Sequence, residues 1–199
     1  NINKKDIIVA NFVKHIQEKS ITVSISGGVD SMVCAFILKK LGYNVNALMI
    51  NYCNRDTSNM EVEMVSAWCA HMNISFYCRK IDEIQRSTDS DREFYEKITK
   101  EIRFNSYKFL KNPVILGHNR DDCLENIFSN IKKKRSFENL TGMEHNSILF
   151  GVSIIRPMLN ILKKDIILFA NKYNIPYLLD STPTWSERGK MRDILLPAI

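Results

Sequence analysis

A short β-rich run that leads directly into two glycines and an apolar helix is the feature that most constrains the fold of this chain. The run covers residues 22–25, the glycines are Gly27 and Gly28, and the apolar residues 32–41 end at Gly42. β-branched residues favour a strand, and a glycine after an apolar helical pattern is typical of a helix C-terminus. A strand that turns tightly into a helix predicts the start of a βαβ unit.

The same alternation recurs along the rest of the chain. The strand patterns cover residues 22–25, 45–50, 74–78, 114–117 and 149–155, and the helical patterns cover 6–18, 32–41, 59–72, 91–110, 121–131 and 163–173. This order predicts an α/β fold with a parallel sheet of about five strands and helices on both faces. We expect one domain over residues 1–199, in which residues 174–199 form a loop-rich closing segment. Ligands of such sheets bind at the carboxyl ends of the strands.

Composition excludes several classes of protein. Hydrophobic residues make up 45% of the 199 residues, which suffices for a packed core, and no run is long and apolar enough to span a bilayer. The five cysteines form no Cys-x-x-Cys pair, so neither a disulfide framework nor a zinc ribbon is expected. With no apolar signal-peptide core either, the sequence predicts a reducing intracellular compartment such as the cytoplasm and no membrane partner.

The net charge of +6 is densest in the basic run at residues 132–135. A polyanionic partner such as tRNA fits this charge, and a solvated helix end rich in lysine explains the run equally well. Charge alone therefore leaves both interpretations open.

The loop from Ser26 to Ser31 reads Ser-Gly-Gly-Val-Asp-Ser and lies between the first strand and the next helix. Its glycines let consecutive backbone N–H groups surround an anion, and the helix N-terminus adds a positive dipole. Ser24, Ser26 and Ser31 add hydroxyl donors. The loop lacks the Lys-Ser/Thr ending of a Walker A motif and is not Gly-x-Gly-x-x-Gly. It predicts a phosphate site; the alternative is a glycine-rich turn without a ligand.

Asp30 is unusual in a phosphate loop, because its carboxylate would repel the ligand. A divalent cation between them removes the conflict, and Mg²⁺ commonly binds one or two carboxylates together with substrate phosphates. The alternative is that Asp30 caps the helix.

A second group of polar residues follows the strand pattern at 114–117. It runs from His118 to Glu125 and reads His-Asn-Arg-Asp-Asp-Cys-Leu-Glu. Asp122 and Glu125 are three residues apart, and Asp121 and Glu125 are four apart, so on a helix they share a face. Such carboxylates hold a cation or an amine; an acidic first turn that only caps the helix is the alternative.

These two motifs carry a resemblance to known families. Ser-Gly-Gly-x-Asp-Ser resembles the PP-loop signature of ATP pyrophosphatases, which have the adenine nucleotide alpha hydrolase-like fold. His-x-x-Asp-Asp-x-x-Glu is similar to the second motif of the tRNA(Ile)-lysidine synthetase family and of related tRNA cytidine thiolases. The similarity extends from about residue 22 onward, and its further segments are residues 95–107, 138–143, 155–159, 180–188 and 192–197.

The resemblance implies cleavage of ATP between its α and β phosphates, with Mg²⁺. In a first step, the wobble cytidine of an isoleucine tRNA of the CAU anticodon type is adenylated and pyrophosphate leaves. The amine of free lysine then displaces AMP and forms lysidine. By matched position, the phosphate-binding residues are Ser24, Ser26, Gly27, Gly28, Val29, Asp30 and Ser31, with Asp30 also the metal ligand. The catalytic residues are Asp30, His118, Asp122 and Glu125, and the substrate-binding residues are Asp121, Arg156, Arg188 and Arg192.

Two other functions remain open at this point. One is a different PP-loop enzyme, such as a tRNA cytidine thiolase or an amide-forming ligase, and the other is a non-catalytic nucleotide-binding module. The thiolases rely on paired cysteines, and the lack of Cys-x-x-Cys favours lysine over sulfur as the second substrate. Because the chain starts without Met and ends at Ile199, where many relatives continue, we expect either a catalytic core alone or a divergent short form.

Overall fold

Strands and helices alternate along the chain in a computed structural model that describes residues 2–84, 92–136, 140, 142–179, 189 and 191. The strands are β1 (Ser20–Ile25), β2 (Asn44–Asn51), β3 (Ser75–Lys80), β4 (Val114–Ile115), β5 (Asn146–Leu149) and β6 (Val152–Ile155). The helices are α1 (Ile7–His15), α2 (Val29–Leu41), α3 (Ser58–His71), α4 (Arg92–Phe109), α5 (Arg120–Lys132) and α6 (Lys163–Lys172).

The strands form one sheet in the order β3-β2-β1-β4-β6-β5, in which β5 alone is antiparallel to its neighbour. From β1 the chain moves outward to β2 and β3 on one side, and β4 and β6 continue the sheet on the other. The loops that leave β1 and β4 therefore diverge, and such a switch point opens a crevice at the carboxyl ends of the strands. The predicted α/β fold with a mostly parallel sheet is confirmed.

One predicted element was wrong in detail. Residues 149–155 are not a single strand but parts of a hairpin, in which Leu149 pairs with Val152. Phe150 and Gly151 turn the chain with φ angles of 51° and 76°. The run is apolar on both sides of the turn, so periodicity gave no sign of the reversal, although glycine is the residue that best accepts a positive φ. The sheet consequently has six strands.

The core has two apolar layers, one on each face of the sheet. Phe12 of α1, Met32 of α2, Cys69 of α3 and Ile166 of α6 are buried in the larger layer. In the smaller layer, Phe104 and Tyr107 of α4 are buried in one cluster with residues of β2, β4 and β6. Helices on both faces are thus confirmed. Among the described residues, no helix has the length and apolarity needed to cross a bilayer.

Candidate functional site

The loop between β1 and α2 lies at the switch point of the sheet. Gly27 has a φ of 82°, and Gly28 is the N-cap of α2 in an extended conformation. Within the described part of the chain, no side chain caps this helix. Its first-turn N–H groups thus have no capping side chain among the described residues, and such an N-terminus is the arrangement that binds anions.

The serines of the loop have different partners. The Ser31 hydroxyl donates to the Gly28 carbonyl at 3.0 Å and accepts from the Ser26 N–H at 3.1 Å, so it holds the turn in shape. The Ser24 hydroxyl lies 2.7 Å from the hydroxyl of Tyr107 on α4. Ser26 is exposed. Of the three predicted hydroxyl donors, Ser26 is thus the most accessible to a ligand.

Two glycines allow other segments to approach this loop closely. A Cβ at Gly117 would lie 3.0 Å from the Asp30 Cβ and 3.1 Å from the Ser31 nitrogen, so the segment that follows β4 packs directly on the start of α2. A Cβ at Gly27 would lie 2.6 Å from Leu178, whose N–H donates to the Gly27 carbonyl at 2.9 Å. Gly117 was not among the predicted site residues; its position between a buried strand and His118 was the available signal.

Asp30 is held by residues from two other segments. Its Oδ1 accepts from the Asn119 side-chain amide at 3.1 Å, and its Oδ2 pairs with the Lys163 ammonium at 2.5 Å. Burial raises the pKa of Asp30, and nearby Asp122 adds to the rise, whereas Lys163 and Asn119 act in the opposite direction. The structure thus brings the predicted loop carboxylate together with the predicted His118–Glu125 segment.

The N-terminus of α5 is capped by the side chains of Asn119 and Asp122. The Asn119 Oδ1 accepts from the N–H groups of Asp121 and Asp122 at 2.9 and 3.2 Å, and the Asp122 carboxylate accepts from the Asn119 N–H at 3.0 Å. This is a complete capping box. Asp122 and Glu125 are both buried. One oxygen of Asp122 therefore caps the helix, as the helix-capping interpretation predicted.

Arg156 fixes the orientation of His118. The guanidinium Nε donates to His118 Nδ1 at 3.2 Å, and Nη1 donates to the Glu144 carbonyl and the Ser147 hydroxyl, both at 2.9 Å. Since Arg156 can only donate, Nδ1 is the acceptor and Nε2 carries the hydrogen of the neutral ring. Arg156 is only 5% exposed, so its guanidinium faces the protein interior.

Lys163 and Asn119 were likewise not among the predicted site residues. Lys163 is the first residue of α6, where the positive end of the helix dipole disfavours a cation. A lysine at that position signals a nearby anion, which here is Asp30. Asn119 follows His118 and has the residue type preferred at helix N-caps.

The oxygen ligands present suit Mg²⁺ more than a transition metal. In the described ranges, no group of three or more His, Cys, Asp and Glu side chains could hold a metal on its own. Asp30 and Asp122 both contact Asn119, and Mg²⁺ commonly binds through one or two carboxylates plus substrate phosphates. The predicted substrate-binding residues Arg188 and Arg192 lie outside the described residues.

Several known proteins are similar to this chain. A family model for the PP-loop domain matches residues 3–199. The tRNA(Ile)-lysidine synthase of Chlamydia muridarum is 28% identical in an alignment 188 residues long, and the match covers 91% of this chain and 58% of that protein. Its counterpart in Staphylococcus aureus is 30% identical in an alignment 193 residues long, and the match covers 90% of this chain and 44% of that protein. The chain thus spans about half the length of these curated relatives.

Among solved structures, the U34-tRNA thiolase NcsA of Methanococcus maripaludis, solved with its 4Fe–4S cluster, has a TM-score of 0.75. It is 18% identical in sequence, and the match covers 94% of this chain and 70% of that one. At this sequence identity, the similarity shows a shared fold and no more. The family model extends over nearly all of the sequence, and the glycine loop, the uncapped α2 and the loop carboxylate are present: the chain belongs to the PP-loop family.

Proposed function

We propose that this chain is the catalytic part of an ATP-dependent tRNA-modifying ligase. It adenylates the wobble cytidine of an isoleucine tRNA of the CAU anticodon type and then joins lysine to it. The main structural support is the juxtaposition of the uncapped α2 with Asp30, Asn119 and Lys163 at the switch point. The relatives that match about 90% of this chain are named tRNA(Ile)-lysidine synthases, which supports lysine as the second substrate.

The first step is nucleotidyl transfer. The C2 carbonyl oxygen of the cytidine attacks the α-phosphorus of ATP, and the bond from that phosphorus to the oxygen bridging to the β-phosphate breaks. Pyrophosphate leaves with the electron pair. The first-turn N–H groups of α2 and the Ser26 hydroxyl bind the pyrophosphate portion, where negative charge collects. His118, with its hydrogen on Nε2, donates to a phosphate oxygen.

For the same reaction, we propose that the carboxylate of Asp30, with Asp122 nearby, is the metal ligand. Bound Mg²⁺ would neutralise phosphate charge. The two donors already on its oxygens, from Asn119 and Lys163, hold the carboxylate in place before a ligand binds.

The second step joins lysine to the adenylated base with AMP as the leaving group. The lysine amine attacks C2 of the adenylated cytidine, the C2–O bond to AMP breaks, and AMP leaves. The attacking nitrogen loses a proton, which a carboxylate near it accepts. Asp122 and Glu125 are our candidates for recognising and deprotonating this amine, since both carboxylates are buried on α5.

Contacts to tRNA require cations outside the phosphate pocket. Lys132, Lys133, Lys134 and Arg135 are exposed at the C-terminal end of α5. Phosphate contacts from such residues are strong but independent of sequence. The proposed substrate-binding residues remain Asp121, Arg156, Arg188 and Arg192. Because Arg156 is buried against His118, we propose that it acts on the reacting phosphate and makes no contact with RNA.

The test is an incubation of the protein with ATP, Mg²⁺, labelled lysine and a tRNA(Ile) transcript with a CAU anticodon. We expect label in the RNA and one pyrophosphate per lysine transferred. A matched transcript with uridine at the wobble position is the control and should receive no label. Release of pyrophosphate without lysine transfer would instead identify another PP-loop enzyme. Binding of ATP with neither product would identify a nucleotide-binding module.

A further inference from the structure

Lys163 stands at a position where a lysine is unfavourable unless it has a specific partner. It is the first residue of α6, its N-cap Leu162 gives no side-chain cap among the described residues, and the helix dipole opposes a cation there. The Arg120 N–H at the start of α5 donates to the Ile161 carbonyl at 2.9 Å, so the N-termini of two helices lie close together. Positive potential from both helices acts on the ammonium.

Asp30 compensates this charge. Its Oδ2 is 2.5 Å from the Lys163 Nζ, and the two side chains are 23% and 27% exposed, so solvent reaches the pair from one side. The other oxygen, Oδ1, is held by Asn119. A cation that binds Asp30 from solvent must therefore compete with Lys163 for Oδ2, whereas the Asn119 contact can stay.

We propose that Lys163 is a resident counter-ion that exchanges partners when the metal–nucleotide complex binds. In the ligand-free site it neutralises Asp30; in the loaded site Asp30 binds the metal and the ammonium moves to the polyphosphate. This inference rests on the proposed use of Mg²⁺ and ATP. Each charge keeps a partner throughout, so binding leaves neither Asp30 nor Lys163 uncompensated in a partly buried site.

The residue type suits an exchange. Lysine presents a compact charge on a flexible four-carbon stem, which can swing between two acceptors, whereas the planar fork of arginine favours one bidentate partner. The exchange also couples the two ligands. Metal alone binds weakly because Lys163 competes for Asp30, and nucleotide relieves the competition by offering phosphate oxygens to the ammonium.

The test compares Lys163→Met with Lys164→Met, which removes an exposed lysine from the same turn. Mn²⁺ affinity is measured by electron paramagnetic resonance without nucleotide, and Mg²⁺–ATP affinity by calorimetry. For Lys163→Met we expect Mn²⁺ to bind about tenfold more tightly and Mg²⁺–ATP about tenfold more weakly, since one charge-assisted hydrogen bond is lost in each state. Lys164→Met should match the wild type in both measurements.

Opposite changes in the Mn²⁺ affinity and the Mg²⁺–ATP affinity separate this role of Lys163 from a structural one. If Lys163→Met binds Mn²⁺ no more tightly than the wild type, or retains full Mg²⁺–ATP affinity, the exchange is refuted. Should that variant fail to fold, Lys163→Arg serves instead. It keeps the charge on Asp30, so Mn²⁺ should bind no better than to the wild type, and tighter binding would count against competition.

Failure of the proposed function gives a different result from failure of the exchange. If the wild type binds no Mg²⁺–ATP at all, the ATP-dependent reaction is wrong, whatever Mn²⁺ does with the variants. If the wild type binds Mg²⁺–ATP and only the change in Mn²⁺ affinity is missing, the function stands and the exchange falls.

Discussion

The N-termini of α2 and α5 make an informative comparison. Both helices begin just after a neighbouring central strand, and the two starts are joined by the hydrogen bond from Asn119 to Asp30. Yet α2 starts at Gly28 without a side-chain cap among the described residues, whereas α5 starts at Asn119 with a capping box completed by Asp122.

From this difference we infer that the start of α2 is a binding terminus and the start of α5 a supporting one. The first-turn N–H groups of Asp121 and Asp122 already have an acceptor in Asn119, so α5 offers few donors to a ligand. The start of α2 offers donors, a positive dipole and an accessible turn. We infer that α5 serves as a rigid support that presents polar side chains, while α2 receives the anion.

The largest effect should come from Asp30→Ala at the binding terminus. If Asp30 acts on the phosphates through the metal, pyrophosphate release should fall by about a thousandfold, the scale of losing one main electrostatic contact in a transition state. The measurement is pyrophosphate release with saturating ATP and tRNA. The matched control is Asp165→Ala, which removes an acidic residue from the first turn of α6. Normal release from Asp30→Ala would refute its role as metal ligand.

A smaller effect is expected when α2 is given the cap that α5 has. Gly28 has an extended backbone, and an added Cβ would meet only Ser26 Oγ at 3.5 Å, so Gly28→Ser is sterically allowed. We expect the free energy of unfolding to rise by up to about 1 kcal/mol. ATP affinity should fall about tenfold because the new hydroxyl competes for the same N–H groups.

The control for this change is Gly28→Ala, which restricts the unfolded chain but adds no acceptor. Thermal unfolding and ATP calorimetry of the three proteins give the comparison. Equal ATP affinity in the Ser and Ala variants would show that these N–H groups are not the donors to the ligand.

Removal of the existing cap on α5 should act mainly on stability. Asn119→Ala leaves first-turn N–H groups without their acceptor and should cost about 2 kcal/mol, which lowers the Tm by about 4–8 °C for a domain of this size. Asn119→Ser keeps a capping oxygen but is too short for the contact with Asp30. If the Ser variant is as unstable as the Ala variant, the cap is not the source of the stability.

Local sequence signals predicted the fold well because they depend on nearby residues. The turn at Gly27 and Gly28 and the period of each helix are visible within a few positions. The hairpin at Phe150 and Gly151 was missed because its apolar residues continue through the turn. A backbone reversal inside an apolar run leaves no periodic signal.

The site was predictable only in part, for a physical reason. The rule that ligands bind at strand carboxyl ends pointed to the loops after β1 and β4, and in the structure Asp30 of the first loop contacts Asn119 of the second. The pair of Asp30 with Lys163 joins residues 133 positions apart, and it depends on the return of the chain through β6, which no local pattern encodes. Similarly, the inward direction of Arg156 depends on where His118 lies. Polar residue types are visible in a sequence, but their partners are not.

The two helices can also be compared through their cysteines, with no substitution at all. Cys34 lies on α2 one turn after Asp30 and is fully buried, whereas Cys123 lies in the first turn and a half of α5 and is partly exposed. Burial raises the pKa of both thiols, and that of Cys34 is well above its ordinary value. A raised pKa lowers the thiolate fraction at a given pH, so both should react slowly near neutrality.

We therefore expect Cys123 to react with a disulfide reagent in the native protein, faster as the pH rises from about 8 to about 10, while Cys34 reacts only after unfolding. Peptide mapping by mass spectrometry at successive times distinguishes the two sites, and the protein unfolded in urea gives the reference rate for each. If Cys34 reacts in the native state as quickly as Cys123, the start of α2 opens often. A helix that opens in this way could not hold its N–H groups in place for a phosphate, and the contrast between the two termini would have to be abandoned.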